Sequence, residues 1–190
     1  MPYFSVITPT LDRASLAVCL RSLDRQTFDS WEHIVWLDAE IASSHLEQMN
    51  SGKRSVVVPG MRFNDFGNTP RNLAWQFASG DWIIYLDDDN RLADKDALQR
   101  IHDCLAAAGE PNVGIFPIIR HGVRFFNLPP RLCFFDTANM VVKREIGRWP
   151  AGPEYVMDGL FIERLVAEYS YVAFPECAPT ICVPVSSEGK

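Results

Sequence analysis

The chain has little of what marks most redox, zinc and nucleotide-binding proteins. Its five cysteines (Cys19, Cys104, Cys133, Cys177 and Cys182) include no Cys-x-x-Cys pair and no histidine at zinc spacing, which argues against a structural zinc site or a disulfide framework. Buried reduced thiols in a cytosolic compartment are the expected state. The four histidines (His33, His45, His102 and His121) suggest no triad and no metal-binding pair. A Gly-x-x-x-x-Gly-Lys-Ser/Thr loop is missing, so P-loop chemistry is disfavoured, and no Gly-x-Gly-x-x-Gly follows the first predicted strand, which disfavours a dinucleotide dehydrogenase. There is no Gly-x-Ser-x-Gly elbow either. No hydrophobic run approaches the length of a membrane span, and the N-terminus shows no basic segment followed by an apolar signal core. The expectation is a cytoplasmic protein with no integral membrane segment, peripheral to a membrane at most. A net charge of −6 without clustered Lys and Arg excludes a nucleic-acid surface.

What is present is an ordinary soluble composition, 47% hydrophobic and 22% charged, over 190 residues. That length gives one domain with a substantial core, read as a single unit over 1–190 with a first half, 1–90, and a second half, 91–190. Strands are predicted at 3–8, 32–37 and Arg54–Val58. Between them lie helices over Ala14–Arg25, with Asp12 placed as an N-cap, and over 42–50. A helix capped by Asn68 or Thr69, with Pro70 in its first turn, runs to Ser79 and stops at Gly80. Then come a strand at 82–86, a helix over Asp94–Ala108 and strands near 113–119 and 134–142. A helix over Asp158–Glu168 and short strands near 171–174 and 180–184 close the chain. The alternation in the first half implies an α/β fold with a largely parallel sheet and helices on both faces.

The strand Trp82-Ile83-Ile84-Tyr85-Leu86 ends in Asp87, Asp88 and Asp89. Three carboxylates at one strand tip repel each other and are costly without a cation or donors beside them. The plain alternative is a solvated acidic turn. Extended backbone would send Asp87 and Asp89 to one side and Asp88 to the other, making the effective motif Asp-x-Asp. Open α/β sheets bind ligands at the carboxyl ends of their strands, and three such ends here carry Thr8-Pro9-Thr10, Asp38 and the acidic tip. They converge on one crevice suited to a diphosphate held through a hard divalent ion.

With these motifs in order, the chain resembles the inverting nucleotide-sugar glycosyltransferases of family 2, which have the GT-A fold. The resemblance runs from Phe4 to about Leu165. It rests on Ser5-Val6-Ile7-Thr8-Pro9-Thr10, on Arg21-Ser22-Leu23-Asp24-Arg25-Gln26-Thr27-Phe28 before Trp31-Glu32, and on Asp38. Further along it rests on Gly67 with Arg71-Asn72-Leu73-Ala74, and on Ser79-Gly80-Asp81-Trp82-Ile83 leading into the acidic tip. The resemblance implies a single GT-A catalytic domain, nucleotide-binding over 1–90 and acceptor-side over 91–190. It implies that Thr8, Pro9 and Thr10 line the nucleoside pocket, that Asp38 bonds the base and that Arg71 contacts the nucleotide. Asp87 would lie near ribose and metal, Asp88 would serve the loop or the sugar, and Asp89 would bind Mn²⁺ or Mg²⁺ between two phosphates. Asp158 would be the general base, with Arg164 six residues beyond; the family's Glu before the base is replaced by Met157. Asp136 and Asn139 fall in the strand that floors the acceptor site. The implied activity is metal-dependent transfer of a hexose from a UDP-sugar, with UDP-glucose and UDP-galactose the first candidates. The acceptor would be the hydroxyl of a glycan, a lipid-linked molecule or another alcohol. The short C-terminus suggests a minimal unit, its acceptor surface completed by segment 119–135 or by a second copy in a homo-oligomer.

Two other readings stay open. A nucleotidyltransferase also sets acidic strand ends around metal and nucleotide, although it would usually want basic residues for the extra phosphates. A degenerate sugar-nucleotide or glycan-binding module without transfer activity is motivated by Met157 and by the short C-terminus.

Overall fold

The computed structural model describes residues 1–40 and 52–182. The predicted helix at 42–50 and the end of the predicted strand at 180–184 lie outside the described residues.

A seven-stranded sheet forms the centre, built from β1 (Phe4–Thr10), β2 (Trp31–Leu37), β3 (Arg54–Val57), β4 (Trp82–Tyr85), β6 (Val113–Ile115), β9 (Met140–Lys143) and β10 (Tyr171–Ala173). Its order is β10-β6-β9-β4-β1-β2-β3. The pairings β4–β1, β1–β2, β2–β3 and β10–β6 are parallel, and only β9 runs against its neighbours. Every residue of β1 is buried, as expected of a central strand covered on both faces. The two-residue period divides the core. Ile83 and Tyr85 join Ile7 on the face packed by Phe161, Ile162 and Leu165. Trp82, Ile84 and Leu86 join Phe4 and Val6 on the face packed by Cys19, Leu98, Ile101 and Leu105.

The helices are α1 (Leu16–Asp24), α2 (Asn68–Ala74), α3 (Ala97–Ala107) and α4 (Met157–Glu168). In α1, Leu16, Cys19, Leu20 and Leu23 are buried at helical spacing. It starts later than expected, with Ser15 rather than Asp12 at the N-cap. The reason is local: Thr10 Oγ1 accepts the Asp12 backbone N–H at 2.9 Å, and Asp12 takes a left-handed φ of 62°, so the chain turns before the helix begins. In α2 the N-cap position belongs to Gly67, and Asp65 Oδ2 accepts the Thr69 N–H at 2.8 Å in place of a cap from Asn68 or Thr69. Gly67 has a φ of 79°, and a Cβ there would stand 3.1 Å from both Pro9 and the Arg71 guanidinium. The helix then tightens into a 3₁₀ turn over Trp75–Phe77 instead of continuing to Ser79.

A second, four-stranded sheet has the order β5-β11-β7-β8, with β5 (Asn90–Leu92), β7 (Ile118–Arg120), β8 (Val123–Phe125) and β11 (Thr180–Cys182). The region expected as one strand near 113–119 therefore splits, β6 staying in the large sheet and β7 entering the small one. The region near 134–142 becomes a 3₁₀ turn over Thr137–Asn139 followed by β9.

At the amino ends of the central strands a polar clasp fixes register. Ser5 Oγ donates to Glu32 at 2.6 Å, Gly80 N–H donates to Ser5 Oγ at 2.8 Å, and Ser79 N–H reaches the same Glu32 oxygen at 2.6 Å. A Cβ on Gly80 would lie 2.7 Å from the Ser5 backbone nitrogen, so only glycine lets β4 come this close to β1.

Candidate active site

The carboxyl ends of β1, β2 and β4 open onto a cavity of ≈ 520 Å³. Pro9, Thr10, Asp38, Arg71, Asp87, Asp88 and Asp89 all line it. Asp38 is tied from both sides: its N–H donates to Thr10 O at 2.8 Å, and its Oδ1 accepts the Phe63 N–H at 2.7 Å. A carboxylate held by one oxygen keeps acceptor capacity for a ligand.

Thr8 does not line the cavity. Its Oγ1 lies 2.9 Å from His33 Nε2 and 3.9 Å from Cys19 Sγ, buried under α1. Arg54 Nε donates to His33 Nδ1 at 3.1 Å, which places the imidazole proton on Nε2, and the same guanidinium donates to Asp24 at 2.5 Å. Burial, and then the Arg54 charge, hold His33 neutral by pushing its pKa well below the usual range.

The acidic tip departs from simple alternation because residues 88 and 89 form a turn, closed by Asn90 N–H donating to Asp87 O at 2.9 Å. Asp87 faces α2 and pairs with the Arg71 guanidinium. Asp88 faces the other way, accepting from Thr10 Oγ1 at 2.7 Å and lying 3.4 Å from Arg13. Asp89 follows in that turn, with Arg13 4.0 Å away. Burial pushes the Asp89 carboxyl up to about 6, and the Asp87 and Asp88 charges add to that rise. Asp88 is also raised, burial outweighing the opposing Thr10 and Arg13 contacts.

Arg71 is a buried side chain, not a surface ion pair. It donates to Phe66 O at 2.9 Å and to Asp87, and its guanidinium lies over the Trp149 ring at 4.8 Å. Trp149 is held in turn by α2: its Nε1 donates to Asn68 Oδ1 at 3.0 Å, and its backbone O accepts from Asn72. Asn68 Nδ2 also donates to Gly152 O and Glu154 O at 3.0 Å each. One helix thus grips the segment that leads into α4.

Asp158 stands in the first turn of α4, where its own Oδ1 accepts the Gly159 N–H at 2.8 Å. It is not among the residues lining the cavity. Burial pushes its carboxyl up to about 6, with the charges of Asp136 and Asp87 adding to the rise and Arg71 opposing it. The four groups therefore share one electrostatic environment. Met157, at the position of the family Glu, is a core side chain, 5% exposed. Arg164 lies over the Phe161 ring at 5.2 Å. Asp136 caps the 3₁₀ turn and pairs with Arg120, and Asn139 is buried with its Nδ2 donating to Phe116 O at 2.7 Å.

Sequence reasoning missed Arg13, Arg62, Asn64, Phe66 and Tyr155 as lining residues. Arg13 had one usable signal, its position three residues beyond Thr10 at a strand end. Phe66 and Tyr155 meet edge to face at 5.1 Å across a long sequence separation that no spacing rule connects.

Among the described residues no three His, Cys, Asp or Glu side chains come together as a closed metal cage. The tip nevertheless suits a divalent cation whose shell a phosphate completes, because its oxygen donors are hard and its three carboxylates face only Arg71 and Arg13.

The sequence model of glycosyl transferase family 2 matches residues 5–149. The chain belongs to that family. Asp158 lies beyond the matched residues. A PGL/p-HBAD biosynthesis glycosyltransferase of Mycobacterium bovis (strain BCG / Pasteur 1173P2) is 31% identical over 106 residues, covering 53% of this chain. The chain spans 40% of that relative's length. Among solved structures, S. aureus TarS 1-349 in complex with UDP-GlcNAc superposes with a TM-score of 0.80 at 17% identity, covering 99% of this chain and 60% of that one. The mannosyltransferase PcManGT from Pyrobaculum calidifontis, in complex with GDP-Man and Mn²⁺, gives a TM-score of 0.69 at 20% identity, covering 99% and 58%. This family 2 chain has the mixed α/β architecture of GT-A glycosyltransferases. Among its described residues no helix is long and apolar enough to cross a membrane.

Proposed function

We propose that this chain is the catalytic domain of a metal-dependent inverting glycosyltransferase that moves a hexose from a UDP-sugar to a hydroxyl acceptor. The observation that carries the reading is the convergence of three parallel strand ends, with Asp38, Thr10 and the acidic tip, on one cavity backed by the buried Arg71. Asp38 accepts a hydrogen bond from the base, and Pro9 and Thr10 wall the nucleoside. Arg71 holds Asp87 in place from behind and adds positive charge on the diphosphate side. A Mn²⁺ or Mg²⁺ ion held by Asp89, with Asp87 near it, would neutralise the charge that grows on the leaving diphosphate. Asp158 takes the acceptor hydroxyl proton, a role for which a carboxyl pushed up to about 6 is better matched than an ordinary aspartate. The structural likeness to proteins solved with UDP-GlcNAc and with GDP-Man and Mn²⁺ supports a nucleotide-sugar donor.

The test is nucleoside diphosphate release without acceptor, across UDP-glucose, UDP-galactose, UDP-GlcNAc and GDP-mannose. Asp89→Ala is expected to lower Mn²⁺-dependent release by at least about 100-fold, the scale set by loss of a group that stabilises charge in the transition state. Undiminished turnover in the variant would sink the reading. Donor binding with no hydrolysis and no transfer would instead favour a sugar-nucleotide-binding module.

A further inference from the structure

The three carboxylates of the tip do not share their cations equally. Asp87 has a private guanidinium, that of Arg71, whose side chain is only 7% exposed. Asp88 and Asp89 share Arg13, at 3.4 Å and 4.0 Å, and the Arg13 side chain is 47% exposed. Both distances exceed the 2.7–2.9 Å or so of a tight charge-assisted bond, so this contact is loose and exchangeable. Its launch point is rigid by contrast. Thr10 Oγ1 donates to Asp88 at 2.7 Å and accepts the Asp12 N–H at 2.9 Å, so the turn that carries Arg13 is fastened to one of the acids it neutralises. Arg13 and the three acids line the same cavity.

We propose that Arg13 is the resident counter-cation of the tip: in the nucleotide-free protein it occupies Asp88 and Asp89, and it competes there with the divalent ion. This rests on the metal-dependent reading above. A doubly charged ion at Asp89 repels a guanidinium within about 4 Å of the same carboxylate. A long, half-exposed side chain that already lines the cavity can then turn toward the donor diphosphate, the anion that replaces the carboxylates as its partner. Arg13 thereby makes ion binding weak without nucleotide and links it to nucleotide binding, because the ion displaces the same guanidinium that the diphosphate attracts. It acts as a positioning residue on the tip and touches the diphosphate only once the ion has displaced it.

The experiment is a titration of the full chain with Mn²⁺, free ion being read by electron paramagnetic resonance, for the wild type, Arg13→Gln, Arg13→Lys and Asp89→Ala. Without nucleotide, Arg13→Gln is expected to bind Mn²⁺ about 10-fold more tightly, the size expected for removal of one competing charge in a partly solvated site. Arg13→Lys should stay close to the wild type. With saturating Mn²⁺, Arg13→Gln should bind UDP about 10-fold more weakly. Unchanged or weaker Mn²⁺ binding in Arg13→Gln overturns the competition, and unchanged UDP binding overturns the hand-over. Failure of the underlying reading looks different: the wild type and Asp89→Ala would then bind Mn²⁺ equally. Superimposable near-ultraviolet circular dichroism of the variants excludes a folding artefact.

Discussion

Two clusters of charged and polar side chains adjoin the same strand, two residues apart. Behind Thr8, the chain Asp24–Arg54–His33–Thr8 pairs one cation with one anion, holds the imidazole neutral and fixes its tautomer. Beside Thr10, three carboxylates face two guanidiniums, one of them half-exposed, and burial, with the neighbouring carboxylate charges adding to it, raises the Asp89 carboxyl. The first cluster is what a buried network must be to support a fold, complete in its partners. The second is incomplete in a way that a ligand can repair. Polar residue content does not separate structure from chemistry here; charge compensation does.

The comparison can be broken in three places. Asp158→Asn has the largest expected effect: transfer should fall by about 10³-fold, the usual scale for loss of a general base, while UDP affinity stays within about 2-fold. Equal loss of both would mean that Asp158 supports structure or donor. Because that carboxyl is pushed up to about 6 and must be ionised to accept a proton, wild-type transfer should decline as pH falls through about 6, read from the acidic limb of a pH–rate profile. Arg54→Met attacks the complete cluster, leaving the buried His33 Nδ1 without a donor. A stability loss of about 2–3 kcal/mol in urea denaturation is expected, below the range for a fully buried pair because Asp24 is half-exposed. A loss within experimental error would reduce the network to decoration. Asp89→Asn should do the opposite and stabilise the metal-free protein by about 1 kcal/mol at pH 7. The sign follows from a folded-state pKa of about 6 against 3.8 for an ordinary aspartate: the native state is favoured when Asp89 is protonated and loses that advantage as pH rises through 6. The variant's gain should therefore fade below pH 6 and vanish near pH 4, in thermal melts across that window.

The central strands were legible because β1, β2 and β4 are apolar runs with sharp polar ends, and those ends located the cavity. The three-residue strands β5 and β8 were not, since pieces so short exist only through their partners in the small sheet. The family resemblance implies a place for Thr8 in the nucleoside pocket, and alternation puts it on the same face as Thr10. Alternation gives direction and not cover, and α1 lies over that face at Thr8 but not at Thr10. Asp87 and Asp88 face opposite ways as alternation expects, and the turn at 88–89 is a feature that period-two reasoning does not see. Met157 read as a lost carboxylate at the site, yet the position points into the core, where an ionised group would be costly.

The clasp of Ser5, Glu32, Ser79 and Gly80 sits toward the end of the sheet remote from the cavity, about 13 Å from the acidic tip at some 3.3 Å per strand residue, counted from Ile83, which pairs with Ser5. It sets the phase in which β4 runs beside β1, and hence which aspartate arrives opposite Arg71 and which opposite Thr10. A slip of one residue would exchange those stations while leaving every side chain of the site in the sequence. Inherited change at Gly80 would thus silence the chemistry from the far end of the sheet, with an inventory of active-site residues that still looks intact.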